Sequence, residues 1–450
     1  MLFHSATFLV SVALLIALYW VTPNQRVRLV WLFLGSVVFY GWSHWPSVLL
    51  LLASISVNYA LGLRLQAKPS RVVLALGVTA NLSLLLYFKY ARFLLSQLPF
   101  DVPLPDAWAP LGISFFTFQM VAYLVDVHRK QLDAEKDLLV FAVFKSFFAQ
   151  LVAGPIVRGK EFLPQLHQRA TFDAAKLHRG VWMVLFGLFL KVGVADVIGD
   201  FVKFAWKDPA TLGINNAWLA VYAYAAQLLA DFWGYSTMAV GLALCFGLVL
   251  PVNFEHPYGA PSLREFWRRW HITLSVWLRD YLYISLGGGR VSKPRAAFNR
   301  LVTMGLGGLW HGPGWNFILW GMAHGVWMDL EQATEKLRAK WTFRGKAWLG
   351  WFITFHVVVF LWLPFRAPSM GALSVFVGRL FTAPWDISTP TQTAVLTFGF
   401  LLAQKPLFSL LAPERPVSLR PWLEWGLAVL MLWLLLAYGS ATQDFIYRVF

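Results

Sequence analysis

The sequence has few charged residues and a single cysteine. Charged residues make up 13% of its 450 residues, which is too little polar surface to cover a soluble globule of this size. The lone Cys245 excludes a disulfide within the chain and any metal site built from several thiolates. Acidic residues are scarcer than basic ones, at 22 against 38. The chain is therefore neither a typical soluble domain nor a disulfide-stabilised secreted one.

Hydrophobic residues fill the chain from end to end. They make up 58% of it, with 24 tryptophans, and the mean hydropathy is +0.58. The apolar windows predict an all-α polytopic integral membrane protein with about 10 to 13 membrane segments, including re-entrant and interfacial helices. Because glycine and proline are scattered rather than gathered in a linker, we expect a single membrane domain over residues 1–450.

Basic residues next to the apolar windows predict the orientation. No lysine or arginine precedes the first window, and Arg26 and Arg28 follow it, so we expect an uncleaved segment with the N-terminus outside. The later basic loops then fall mostly on the cytoplasmic side, against anionic lipid headgroups. These loops account for the net charge of +16, so we do not expect nucleic acid as a partner.

Residues 264–300 form an unusually basic loop, with eight basic side chains and two acidic ones. Four aromatic residues recur there at helical spacing: Phe266, Trp270, Trp277 and Tyr281. This spacing predicts one amphipathic helix lying in the membrane interface. His271 adds little to such an anchor, which favours a role in a site; a membrane anchor with no catalytic role is the alternative.

The apolar segment 301–328 contains the stretch GGLWHGPGWNFILWGMAHG, with two histidines. An imidazole in hydrocarbon costs free energy unless it is paired or used, so His311 is a candidate functional residue. The glycines and Pro313 weaken the helix. Non-helical backbone at membrane depth is tolerated only where it is buried in protein or lines a water-filled cavity. We therefore expect a bend here and a polar tunnel at His311. Asn316 is a candidate supporting residue, as is His324, for which a structural hydrogen bond is the alternative.

Four blocks of the sequence resemble the membrane-bound O-acyltransferase family. They are QLVAGPIVRGKEFLPQL (150–166), LPVNFEHPY (250–258), REFWRRWHITLSVWLRDYLYISLGG (264–288) and the histidine-bearing stretch 307–325. Within the family they are most similar to the branch that acetylates bacterial extracellular polysaccharides such as alginate. The resemblance implies a ring of membrane helices around a central tunnel, located in the bacterial cytoplasmic (inner) membrane.

The resemblance also implies roles for individual residues. His311 matches the family's catalytic histidine, and His271 matches its second characteristic histidine on the cytoplasmic side. Asp231, in ADFWGYSTMAVG, matches an acidic residue in a segment that relatives usually write DFSGYSDMAIG. Trp233 and Thr237 replace a small serine and an aspartate in that segment, so the acceptor path is expected to differ.

Acetyl transfer from a thioester to a hydroxyl group fits these residues. The thioester is already activated, so we expect no metal and no bound cofactor; the site needs a base, such as an imidazole, and must exclude water. We expect acetyl-CoA as the cytoplasmic donor, with its phosphates near Arg268, Arg269 and Arg279, although arginines there equally bind lipid. The acetyl group would pass across the membrane to a periplasmic acetyltransferase partner and a polysaccharide acceptor.

Two alternatives remain open from the sequence. A sister branch of the family transfers D-alanine to teichoic acid. A secondary transporter is a different class, because the charged residues Lys191, Asp196, Asp200 and Asp231 in or beside apolar segments are able to line a transport path. For the first three, pairing or snorkelling near helix ends is the favoured explanation.

Overall fold

A computed structural model describes residues 5–42, 44–100, 110–152, 154–340, 342–386, 388–410 and 421–438. Within these ranges the regular structure is helical and no strand occurs, which confirms the all-α prediction. The chain divides into two compact units, one of residues 1–184 with 235–252 and the other of residues 185–234 with 253–450. That these units make a single membrane domain remains a prediction.

The α-helices are numbered along the chain. The first ten are α1 (Ala6–Val21), α2 (Gln25–Gly41), α3 (Pro46–Ala67), α4 (Arg71–Leu85), α5 (Ala91–Leu95), α6 (Ile113–His128), α7 (Leu138–Ser146), α8 (Phe148–Leu151), α9 (Gly159–His167) and α10 (Ala174–Leu188). The others are α11 (Val197–Lys207), α12 (Ile214–Cys245), α13 (Leu263–Arg269), α14 (Ile272–Trp277), α15 (Lys293–His311), α16 (Trp315–Ala333), α17 (Glu335–Ala339), α18 (Lys346–Arg366), α19 (Met370–Thr382), α20 (Thr391–Leu410) and α21 (Pro421–Tyr438). Short π-helical turns continue α4, α10 and α14.

Several of these helices are long and apolar enough to cross a membrane. In the described residues six meet that criterion: Pro46–Ala67, Arg71–Leu95, Ala174–Lys207, Ile214–Cys245, Lys346–Arg366 and Thr391–Leu410. Four shorter apolar helices accompany them: Thr7–Val21, Ile113–His128, Met370–Thr382 and Glu424–Trp433. The multi-pass prediction is confirmed, while the number of spans remains a prediction.

Helices α15 and α16 pack backbone to backbone. A Cβ atom on Gly308 would lie 2.1 Å from the carbonyl oxygen of Phe317, and one on Gly321 would lie 2.1 Å from that of Met304. Small residues permit such close approach between membrane helices. The expected bend occurs only at Gly312–Gly314, between the two helices. The expectation that the preceding glycines also disrupt the helix is wrong, because the close packing of α16 uses them.

The single amphipathic helix predicted in residues 264–300 is also wrong. Helix α13 ends at Arg269, and α14 begins only after His271, whose φ of 43° is left-handed and cannot continue a helix. Phe266 and Trp270 are buried within the protein rather than in the interface. The Trp270 ring packs 4.9 Å from the ring of Trp362 on α18. Packing against the second unit's core thus replaces anchoring in lipid.

Candidate active site

His311 is the last residue of α15 and is buried, with 3% of its surface exposed. The extended backbone of Gly312 ends the helix there. The centroid of its ring lies 5.2 Å from the centroids of both Trp320 and Phe365, and 4.9 Å from that of Trp310. These neighbours are aromatic, so the polar tunnel expected at His311 remains a prediction.

The structure places His271 beside His311, with ring centroids 6.4 Å apart. The His271 ring also lies 4.7 Å from that of Phe232 on α12. The segment before α13 holds this turn, since the Ile272 backbone N–H donates to the Asn253 carbonyl over 3.0 Å. Burial lowers the pKa of His271 to about 3, so its imidazole is neutral at physiological pH. The two histidines that the sequence singled out therefore lie side by side and are both buried.

Asn316 and His324 lie on α16 at different distances from that pair. The Asn316 side-chain amide donates to the carbonyls of Pro364 and Ala367, at 3.2 and 3.1 Å. It thus holds the end of α18, which carries Phe365, and its supporting role in catalysis remains a prediction. His324 is fully buried, and its ring centroid lies 4.9 Å from that of Trp320, which also contacts His311.

Asp231 belongs to a buried ion cluster near His271. Lys191 Nζ lies 2.9 Å from Asp231 Oδ1 and 2.7 Å from Asp196 Oδ1, and all three side chains are buried. The next residue after Asp231 is Phe232, which contacts His271. The internal pairing favoured for Lys191 and Asp196 is confirmed, while Asp200 is exposed on α11.

A cavity of about 580 Å³ opens beside the turn that carries His271. Four arginines line it: Arg264, Arg268, Arg279 and Arg300. Apolar side chains, among them Ile272 and Met304, form further parts of the lining. Arg268 and Arg279 were predicted as donor contacts, whereas Arg269, also predicted, is not among the lining residues.

Sequence reasoning did not single out Arg300, because this residue reaches the cavity from α15 rather than from the loop helices. Its guanidinium forms an ion pair with Asp329 on α16. Arg279 also forms an ion pair, with 2.6 Å between its Nε and Asp280 Oδ1. Arg268 pairs with Glu265. Two signals were available for Arg300: its place at the end of the basic segment 264–300, and its spacing of eleven residues, or about three helical turns, from His311.

The cavity and the histidines combine features suited to group transfer. Met304 in the cavity wall precedes His311 by seven residues, which is about 10 Å along a helix. The cationic groups that line the cavity are suited to phosphates, and its apolar lining is suited to an uncharged arm. Among the described residues, no cluster of histidine, cysteine and carboxylate side chains is arranged to hold a metal ion.

Comparisons with known proteins show which family the sequence resembles. The family model described as MBOAT, membrane-bound O-acyltransferase family, matches residues 82–371. The chain is 38% identical to the probable alginate O-acetylase AlgI of Azotobacter vinelandii over 428 residues, which cover 89% of this chain and 84% of that protein. It is 36% identical to the peptidoglycan O-acetyltransferase of Helicobacter pylori, covering 79% of this chain and 74% of that protein. The resemblance identified from the four sequence blocks is confirmed.

A sister type of enzyme is also similar over a shorter region. The teichoic acid D-alanyltransferase of Bacillus subtilis is 30% identical over 266 residues, covering 56% of this chain and 67% of that protein.

Proposed function

This chain belongs to the membrane-bound O-acyltransferase family, and from that membership we propose that it takes an acetyl group from cytoplasmic acetyl-CoA and passes it across the membrane. Family membership makes it a multi-pass membrane acyltransferase, of the type of the alginate and peptidoglycan O-acetyltransferases. The acceptor we propose is an alginate-like or other exopolysaccharide, or a cell-wall glycan. The observation that carries the proposal is an arginine-lined cavity next to two adjacent buried histidines.

The cavity supports a donor that bears phosphates. Coenzyme A combines phosphate groups with a long, largely uncharged arm that ends in the thiol. Arg268 and Arg279 have 67% and 60% of their side-chain surfaces exposed, so their guanidinium groups remain available to a ligand despite their carboxylate neighbours. Guanidinium groups bind phosphate oxygens through paired, charge-assisted hydrogen bonds. We infer that the phosphates bind at these arginines and that the arm extends along Ile272 and Met304.

We assign the base to His311. Its neutral imidazole accepts the proton of the acceptor hydroxyl as the hydroxyl oxygen attacks the thioester carbonyl carbon. The carbon–sulfur bond then breaks, and the departing sulfur takes up that proton to leave as the coenzyme A thiol. Trp310, Trp320 and Phe365 exclude water, which would otherwise hydrolyse the thioester. Burial keeps His271 neutral, and we place this second histidine on the cytoplasmic side of His311, where the donor enters.

The length of α15 is compatible with transfer across the membrane, although α15 is not one of the six helices of the described chain that are apolar enough to cross a membrane by themselves. The helix begins at Lys293 in the basic segment and reaches His311 after 19 residues, which is about 28 Å of α-helix. That length is comparable to the hydrocarbon core of a bilayer, about 30 Å. With the basic segment in the cytoplasm, His311 is reached from the outer side of the inner membrane by a periplasmic partner protein that delivers the acetyl group to the polysaccharide. This orientation includes an external N-terminus.

Transfer of D-alanine to teichoic acid is a second candidate. It is favoured by the 30% identity to the teichoic acid D-alanyltransferase, but that similarity covers 56% of this chain, against 89% for the alginate O-acetylase. Transport is less well supported, because Lys191, Asp196 and Asp231 pair with one another and so are accounted for without a transport path.

The test is release of free coenzyme A from acetyl-CoA by the purified protein in lipid nanodiscs, with candidate polysaccharides and the periplasmic partner present. We expect release by the wild type and a decrease of at least about 100-fold for His311→Ala, because general base catalysis contributes about 10² to 10⁴ in rate. D-alanyl thioester on a carrier protein, offered in parallel, distinguishes the sister activity.

The matched control is His356→Ala. His356 is partly buried on α18, where its ring nitrogen hydrogen-bonds the Phe352 carbonyl and its ring packs against Tyr222, and it does not line the cavity. We expect wild-type release from this variant. Equal turnover by His311→Ala and wild type would exclude His311 as the base.

A further inference from the structure

The buried ring nitrogen atoms of His324 and two neighbouring tryptophans donate and accept no hydrogen bond in the proposed transfer steps, in which the Trp320 ring serves only to exclude water. His324 is fully buried, and among the described residues neither of its ring nitrogens has a hydrogen-bond partner. The indole nitrogens of Trp267 and Trp320 are likewise buried without a partner in the described chain. Buried polar groups are normally hydrogen-bonded, because an unmade bond costs free energy. Three such groups on touching rings therefore call for a functional explanation.

Trp267 connects this group to the arginine-lined cavity. It is one of the residues that line the cavity, and the centroid of its ring lies 5.1 Å from that of His324 and 5.8 Å from that of Trp320. Its indole nitrogen is buried even though the residue itself is half-buried, so the N–H group lies away from solvent. The Trp267 ring thus lies between the cavity and His324.

The nitrogen atoms have the pattern that a secondary amide requires. A neutral imidazole offers one hydrogen-bond donor and one acceptor, and each indole offers one donor. An amide N–H needs one acceptor, and its carbonyl accepts one or two donors. A simple thioester carries no N–H group and can satisfy only the donors.

We propose that His324, Trp267 and Trp320 form a hydrogen-bonding subsite for an amide group of the donor's pantetheine arm, reached from the arginine-lined cavity when the Trp267 ring rotates. The subsite rests on the proposed function, which supplies the donor class. It selects donors by their amide, independently of their phosphates. The same arm occurs on coenzyme A and on carrier proteins, so the subsite serves either source. His324 here is a positioning residue, separate from the base.

The experiment compares two acetyl thioesters without phosphates, S-acetylpantetheine, which has amides, and S-acetylbutanethiol, which has none. For each variant in nanodiscs the ratio of the two kcat/KM values is measured. We expect the wild type to prefer S-acetylpantetheine and His324→Phe to reduce that preference about tenfold, since a buried hydrogen bond of this kind is lost. A general structural defect would lower both kcat/KM values together and leave their ratio unchanged, so the ratio itself distinguishes loss of the subsite from loss of structure.

Two further variants keep an aromatic ring in place and remove the indole N–H group together with part of the ring volume. Trp267→Phe and Trp320→Phe should each reduce the preference less than His324→Phe, and His324→Gln should restore part of it. Trp348→Phe is the control, because Trp348 is exposed on α18, and it should leave the ratio unchanged. If His324→Phe does not fold, these conservative variants decide the question. An unchanged ratio in folded His324, Trp267 and Trp320 variants would overturn the subsite.

Equilibrium binding separates failure of the subsite from failure of the proposed function. In a His311→Ala background, addition of His324→Phe should weaken acetyl-CoA binding about tenfold, and the same comparison with an acetylated carrier protein identifies the source of the arm. A wild type that releases no thiol from any thioester refutes the proposed function. Acetyl-CoA affinity unaffected by His324→Phe refutes the subsite alone.

Discussion

The second unit has charged side chains in two different environments, one exposed around the cavity and one buried near His271. Around the cavity, Arg268 and Arg279 keep more than half of their side-chain surface exposed, each with one carboxylate neighbour. Near His271, in contrast, Lys191 is 3% exposed and lies between two buried carboxylates. Exposed charge is available to a ligand and contributes little to stability, whereas a buried cluster is costly to break and offers little to a ligand. The exposed arginines are therefore suited to the proposed ligand binding, whereas the buried cluster is suited to stabilising the fold.

Breaking the buried cluster should have the largest effect on stability. Lys191→Met leaves Asp196 and Asp231 as buried carboxylates without their cation, which typically costs about 3–5 kcal/mol of unfolding free energy. Thermal unfolding in detergent measures it. Lys203→Met, on the exposed face of α11, is the control and should change stability little. If Lys191→Met is as stable as Lys203→Met, the cluster is not structural.

The pH dependence of stability tests the cost of placing charge in the buried environment, because His271 would have to be protonated there. Because burial lowers its folded-state pKa from 6.5 to about 3, the unfolded chain binds more protons than the folded one between these values. This contribution to stability is therefore present above pH 6.5 and is lost as the pH falls toward 3. Between pH 6.5 and 5 the loss is about 2 kcal/mol. Melting curves should show a smaller decline for His271→Phe; an identical decline would mean that His271 does not contribute.

The smallest expected effect concerns the exposed arginines. Arg279→Gln removes a cation from the cavity, so the KM for acetyl-CoA should rise about five- to tenfold with kcat unchanged. Arg269→Gln is the matched control, because Arg269 lies in the same basic segment but is not among the residues lining the cavity. Steady-state release of coenzyme A measures both. A similar KM for the two variants would place the donor elsewhere.

The sequence alone was enough to predict which residue types form the candidate site, namely buried histidines and a group of arginines. His311 and His324 could be singled out as candidates because burying an imidazole in apolar surroundings costs free energy unless the group is paired or has a function. The basic segment led to Arg268 and Arg279 as predicted donor contacts; both line the cavity, and their binding of the donor remains a prediction. The segment also included Arg269, because a run of arginines does not show which side chains face one cavity.

The sequence by itself determined that this chain is an all-helical, multi-pass membrane acyltransferase with His271 and His311 as its candidate residues. Composition and signature blocks are local properties, so they need no fold to be recognised. Only the tertiary structure decided that the helix breaks at His271, that Arg300 joins the cavity from α15, and that Lys191 pairs with Asp231, forty residues later in the chain. These features depend on packing between distant helices, and periodicity within one segment carries no information about its neighbours in space.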